Sequence, residues 1–160
     1  MTVTAAYVHG RCIAATSGWW HAVTFVPSAA RPGGEHPVAD LARAVHDVYD
    51  SAAKVALQVG PGHTEPPARA PRADRFVVPV SFRPLVAGRH VLVIDDTWVS
   101  GAKAQSAALA LKDAGAARVT ILCVTRWLRY DWPDHRRLIE TLEGPYDALR
   151  CPVTGDDCPR

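Results

Sequence analysis

Cysteine is scarce in this chain: Cys12, Cys123, Cys151 and Cys158 are the only four among 160 residues, too few and too unevenly spaced for the disulfide framework of a secreted domain. Charge of one sign is scarce too. Eighteen basic against sixteen acidic residues leave a formal net charge of +2, no basic field of the kind that would argue for a nucleic-acid partner. No apolar run approaches the ~18 residues of a membrane span, and the N-terminal stretch lacks a basic segment followed by a long apolar core. These absences predict a soluble, cytoplasmic protein with no membrane partner. Two phosphate-binding signatures are also missing. No G-x-x-x-x-G-K-[ST] occurs anywhere, and no G-x-G-x-x-G follows a strand pattern, which removes P-loop NTPases and dinucleotide folds.

What is present is enough for one core. A chain of 160 residues with 48% hydrophobic content suits a single domain over residues 1–160 and is too short for two. His21 to Val26 reads as a strand closed by Pro27-Ser28. A helix is predicted from Pro37 to Ala52, because Val38, Leu41, Ala42, Val45, Tyr49 and Ala52 keep one face apolar. Lys54 to Val59 reads as a second strand, Gly60 to Ala73 as a long Pro-, Gly- and Arg-rich loop, and Phe76 to Phe82 as an extended segment. Further strands are expected around residues 91–94 and at Val119 to Val124, with a last helix from Asp134 to Leu142. No internal repeat is visible. Strands alternating with helices at this spacing imply an α/β fold, a parallel sheet with helices on both faces.

The chemistry concentrates in His90-Val91-Leu92-Val93-Ile94-Asp95-Asp96-Thr97-Trp98-Val99-Ser100-Gly101-Ala102. Four consecutive aliphatic residues suit a strand buried on both faces, and ligands bind at the carboxyl ends of such strands in parallel sheets. Asp95 and Asp96 stand at that end. Ala104, Ala107, Ala108, Leu111 and Ala114 then repeat at helix spacing up to Gly115, a C-terminal cap, so the loop Thr97 to Ala102 aims backbone N–H groups and a helix N-terminus above the sheet. Paired acids beside an anion cradle suit a ligand with a sugar diol and a phosphate, the acids accepting from the hydroxyls or holding Mg2+. Ribose 5-phosphate has both ends. A Walker B element would need the missing P-loop, and a haloacid-dehalogenase-type nucleophile would need Asp-x-Asp.

This stretch resembles the phosphoribosyl pyrophosphate (PRPP) signature of type I phosphoribosyltransferases, and most of all that of the ComF-type branch. The resemblance covers roughly Ala22 to Thr125, with its specificity almost wholly in residues 91–101. It implies that Asp95 and Asp96 bind the ribose hydroxyls, with Mg2+ held directly or through water, as the catalytic pair. It implies also that Thr97, Trp98, Val99, Ser100, Gly101, Ala102 and Lys103 form the 5′-phosphate loop. Val99 and Lys103 depart from the family, which carries hydroxyl residues there. Lys103 brings a compensating charge. The implied reaction transfers phosphoribosyl from PRPP to an unidentified nitrogenous base with release of pyrophosphate. The alternative is a non-catalytic PRPP or nucleotide sensor on the same fold.

Other assignments follow from position in that family. Ser28, Ala29, Ala30 and Arg31 correspond to the pyrophosphate loop, and an ordinary strand-to-helix turn is the competing account. The segment of about residues 60–75 corresponds to a closing lid and carries Arg69, Arg72 and Arg75. Trp127, in the aromatic run after the last core strand, is the expected base platform in a small hood. Trp19 and Trp20 suit either the core or a homodimer contact. In the tail 151–160, six residues intervene between Cys151 and Cys158, wider than usual zinc spacing. A metal there needs two more ligands, which Cys12 with His9 would supply only if the two ends of the chain meet. Zinc, a disulfide and free thiols all stay open.

Overall fold

A computed structural model describes residues 2–28, 37–48, 52–64, 69–142, 144–145 and 147–158, with backbone alone at 2–6 and 47–48. Its centre is a four-stranded parallel sheet of order β2-β1-β5-β6, built from β1 (Ala22–Phe25), β2 (Ala53–Lys54), β5 (His90–Trp98) and β6 (Arg118–Arg126). Helices α1 (Thr2–Ser17), α2 (Pro37–Val48), α4 (Ala102–Asp113) and α5 (Pro133–Glu140) surround it. Successive residues of β5 explain why helices are needed on both faces. Val91 and Val93 pack with Ala104, Ala107 and Leu111 of α4, whereas Leu92 and Ile94 pack with Ala14 of α1 and Ala42 and Val45 of α2. All four β5 residues are fully buried, as a central strand of a two-sided parallel sheet requires.

Three elements differ from the sequence expectation. The segment Lys54 to Val59 is not one strand, since the chain leaves the sheet after Val55, whose N–H still reaches Val23 O. Neighbouring β1 has ended at Phe25, and Pro27 beyond it has no N–H to offer a longer partner. Gln58–Val59 becomes β3, which pairs antiparallel with β4 (Phe76–Val77). The extended segment expected to Phe82 curls into a 3-10 turn at Val80–Phe82 and a short helix α3 (Arg83–Val86), led by Pro84 in its first turn. Before Trp19, where no element was predicted, stands α1. Its Ala-rich sequence favours helix without giving an apolar stripe to read. No helix among the described residues is long and apolar enough to cross a membrane.

Trp20 takes the expected core role, buried among Ala14, Val23 and Leu92, and Trp19 is exposed. His90 opens β5 as a core histidine, its ring nitrogens bonded to Trp19 O at 3.0 Å and Thr120 Oγ1 at 2.9 Å. Burial pushes its pKa down. It holds the lower ends of β5 and β6 against the turn after α1, opposite to the end that carries the acids.

Candidate functional site

Strand β5 runs further than its acids suggested. Asp95 pairs in register with Cys123, Thr97 with Thr125 and Trp98 with Arg126, so Asp95, Asp96, Thr97 and Trp98 belong to the strand because β6 keeps offering partners. The loop proper shrinks to Val99, Ser100 and Gly101 before α4 begins at Ala102. Gly101 is the N-cap of α4 at φ 74°, a left-handed conformation, and it makes no side-chain cap bond. Ser100 Oγ accepts only a long 3.4 Å contact from the Ala102 N–H. The first turn of α4 therefore presents backbone N–H groups that no side chain caps, and a helix N-terminus of this kind favours an anion.

Trp98 explains the tightness of the loop. A Cβ at position 101 would overlap the Trp98 indole, whose own ring packs on the core cluster beneath α4. The ring thus lies under the loop. A cavity of about 350 Å3 opens above it, within the range of small-molecule sites. Asp95, Asp96 and Thr97 line one part of its wall and Val99 to Lys103 another; Val26, Pro27 and Ser28 close it from β1. Arg69 reaches in from the hairpin. Ala29, Ala30 and Arg31 lie outside the described residues, so of the four pyrophosphate-loop positions only Ser28 is placed, at the cavity wall.

The two acids are not equivalent. Asp96 is exposed, whereas Asp95 is only 8% exposed. Asp95 Oδ1 accepts the Asp96 N–H at 3.1 Å, and among the described residues no salt bridge reaches either acid. Burial and then the Asp96 charge raise the Asp95 pKa to about 6, Lys103 opposing them weakly. The neighbouring Cys123 thiol is pushed up to about 12 by burial and the same two charges. Two close carboxylates, one desolvated, form a hard oxygen donor set that a divalent cation or a pair of hydroxyl donors would relieve. Mg2+ fits these residues.

The sign of the Asp95 shift gives a testable result. A raised folded-state pKa means that the folded protein holds its proton more tightly than the unfolded chain, so the group lowers stability as pH rises from about 4 through about 6. The full shift would correspond to about 3 kcal/mol, and the open cavity beside the carboxylate reduces that to about 1–2 kcal/mol. Asp95→Asn should therefore melt like the wild type near pH 4.5 and above it at pH 7.5, in protein free of ligand and divalent cation. An unchanged difference between the two pH values, read by scanning calorimetry, would contradict the buried carboxylate.

The segment expected as a free lid is a hairpin with a fixed stem. Gly60 N–H bonds to Arg75 O at 2.8 Å and Gly62 N–H to Asp74 O at 3.1 Å, while the Arg72 N–H docks on Ser106 Oγ of α4 at 2.9 Å. Residues 65–68 lie outside the described residues. The three arginines have separate fates. Arg72 pairs with Asp74 at 3.0 Å; Arg69 lines the cavity with its guanidinium 5.9 Å from the Trp132 ring. Arg75 is 2% exposed, and its Nε and Nη1 meet no acceptor among the described residues. Burial, then the charges of Lys103 and Arg75, hold the His63 pKa down. His63 thus sits within the field of two cations, Arg75 of the stem and Lys103 of α4.

Trp127 stands half exposed after β6, its backbone N–H on Trp98 O at 2.9 Å, and it does not line the cavity. Trp132, further along the same run, has its ring centroid 4.7 Å from that of His135 at a tilt of 45°, and the guanidiniums of Arg69, which lines the cavity, and of Arg129 lie 5.9 and 5.4 Å from its ring. Only the aromatic run pointed to this region. The side chain that folds back toward the hairpin is not readable from spacing.

Neither a protein-family model nor a curated protein matches the sequence. The fold does find similar solved structures. One is the allosteric regulatory enzyme of purine biosynthesis, and another is glutamine phosphoribosylpyrophosphate amidotransferase from B. subtilis complexed with ADP and GMP. Each is 18% identical with a TM-score of 0.46, over 76% of this chain and 26% of the other. The chain spans about a quarter of the length of these structures.

Proposed function

We propose that the chain is a phosphoribosyltransferase-like protein that binds PRPP with Mg2+ and transfers its phosphoribosyl group to a nitrogenous base. The supporting observation is the polarity of one cavity: Asp95 and Asp96 on one part of its wall, the uncapped N-terminus of α4 with Lys103 on another. A ribose diol and a 5′-phosphate match those two parts. Mg2+ held by the acids, directly or through water, would supply a hard positive charge for the ligand's oxygens.

In the proposed reaction a base nitrogen forms a bond to the anomeric carbon as the bond to pyrophosphate breaks. Pyrophosphate leaves with the electron pair, and the base nitrogen gives up its proton. The charge that grows on the carbon is met by Asp95 and Asp96, and that on the leaving group by cations. Arg69 at the cavity would meet that charge, and Arg75 of the stem would add to the positive field, while His63 is held toward its neutral form. Ser28 belongs to the pyrophosphate side by its place on the wall. Trp127, the sequence candidate for the base platform, stands outside the cavity wall, and Trp132 approaches the cavity only through Arg69.

A second reading, a PRPP or nucleotide sensor without transfer, is favoured by Val99, an exposed aliphatic residue where the phosphate loop would gain from a hydroxyl. Release of pyrophosphate from PRPP in the presence of Mg2+ and a panel of bases decides between them. Transfer requires release with at least one base; binding without release with any base supports the sensor. Lys103→Ala tests the phosphate end in either case. It should weaken ribose 5-phosphate by about five- to tenfold, roughly 1–1.4 kcal/mol for a contact that solvent screens because Lys103 is exposed, and leave ribose-containing ligands without phosphate unchanged. Equal weakening of both ligands in a titration would remove Lys103 from the phosphate site.

A further inference from the structure

The two ends of the chain do meet. His9 and Cys12, one turn apart on α1, face Cys151 and Cys158 of the tail, and one ligand atom from each lies within 4.8 Å of all the others. His9, Cys12 and Cys151 are buried, and none of the cysteines forms a disulfide. We propose that His9, Cys12, Cys151 and Cys158 form a structural zinc site that fastens the tail to α1.

Four observations independent of the cavity carry this. The donor set, one imidazole and three thiols, is that of closed tetrahedral Cys3His zinc sites. The spacing is also right: Zn–S bonds of ~2.3 Å put sulfurs about 3.8 Å apart, so atoms within 4.8 Å need only draw together slightly. His9 is already oriented. Its Nε2 lies 3.1 Å from Ala148 O, a carbonyl that can only accept, so Nε2 carries the hydrogen and the Nδ1 lone pair is directed at the cluster, 3.2 Å from Cys158 Sγ. Such a hydrogen bond behind a ligating imidazole fixes its tautomer.

The tail, finally, has little else to hold it. Among its described residues between 144 and 158 it forms no helix or strand; it exposes Leu149 and Val153 and buries Cys151 completely. A turn with Gly155 at φ 77° bends it back: Cys151 N–H bonds to Asp156 O at 2.9 Å and Gly155 N–H to Cys151 O at 2.8 Å. That turn brings Cys158 beside Cys151 across the unusually wide six-residue gap, and the backbone N–H groups of Val153 and Thr154 point at the Cys151 sulfur. Zinc binding would hold all three cysteines as thiolates, any thiol protons passing to solvent.

The test is metal content of the full chain, purified without chelator or histidine tag from zinc-supplemented culture. The wild type and Cys123→Ser, which changes a cysteine far from the cluster, should each carry about one zinc per chain. Cys12→Ser and Cys151→Ser should fall below about a tenth of an equivalent. If those variants do not fold, the wild type still decides: zinc removed by chelator should lower its melting temperature, and Co2+ in its place should show the absorption of a tetrahedral thiolate site. Wild-type protein with under a tenth of an equivalent of zinc and no cobalt–thiolate band would overturn the proposal. So would a disulfide joining two of Cys12, Cys151 and Cys158, seen as a two-proton mass loss in freshly purified protein.

Discussion

Asp96→Asn and Asp95→Asn are each expected to weaken PRPP binding about ten- to a hundred-fold, the equivalent of roughly 1.5–3 kcal/mol for one charge-assisted contact. Asparagine keeps the size and one acceptor oxygen, so the loss isolates charge. The two variants should differ in stability. Asp96 is exposed and its replacement should change melting little, raising it slightly at neutral pH by removing a charge that disfavours ionised Asp95, whereas Asp95→Asn removes the buried charge itself and retains an oxygen for the Asp96 N–H. A variant that binds less while melting higher separates a functional from a structural carboxylate, because functional groups are commonly held against stability. Titration and calorimetry on the same preparations check both. Undiminished binding by both variants would leave the acids as an ordinary strand end.

Gly101→Ala should cause the largest loss of stability in the site. Two costs add there: about 1 kcal/mol for an alanine at the positive φ of the α4 N-cap, and about 1–3 kcal/mol for a Cβ that overlaps the Trp98 indole. Together they correspond to a melting temperature lower by about 5–15 °C for a chain of this size. The overlap falls on a ring, so a partner substitution should relieve it. In the background of Trp98→Ala, Gly101→Ala should cost only its backbone part, giving a favourable coupling of about 1–3 kcal/mol in a double-mutant cycle. Additive effects would mean that ring and glycine do not share the space. PRPP binding should fall with Gly101→Ala, since the shifted loop no longer aims the α4 N–H groups into the cavity.

The central βα unit was legible in the sequence because its signals are local. Val91 to Ile94 are apolar without interruption, which is what a strand covered on both faces needs, and the alanines of α4 recur at helix spacing up to Gly115. The end of β5 was misplaced for a physical reason. Adjacent aspartates are depleted in strands, yet pairing with β6 carries the strand on to Trp98, a tertiary effect that propensity does not contain. The hairpin was illegible because its stem strands are two residues long and its Pro- and Gly-rich sequence has no period. Arg75 looked like a solvated lid cation and is buried, since sequence does not say which way a stem residue turns. The acids, Ser28, Arg69 and the α4 N-terminus come together as one cavity wall; Trp127 does not. The cluster of His9, Cys12, Cys151 and Cys158 was visible only as two incomplete halves, because nothing local shows that α1 and the tail pack together.

Calorimetric titration of the wild-type protein with PRPP, with and without Mg2+, addresses the central claim most directly. Saturable one-to-one binding is expected, strengthened by Mg2+ and competed by ribose 5-phosphate. No detectable binding at millimolar PRPP in the presence of Mg2+ would contradict it and leave the acid pair and its loop without a ribose-phosphate ligand.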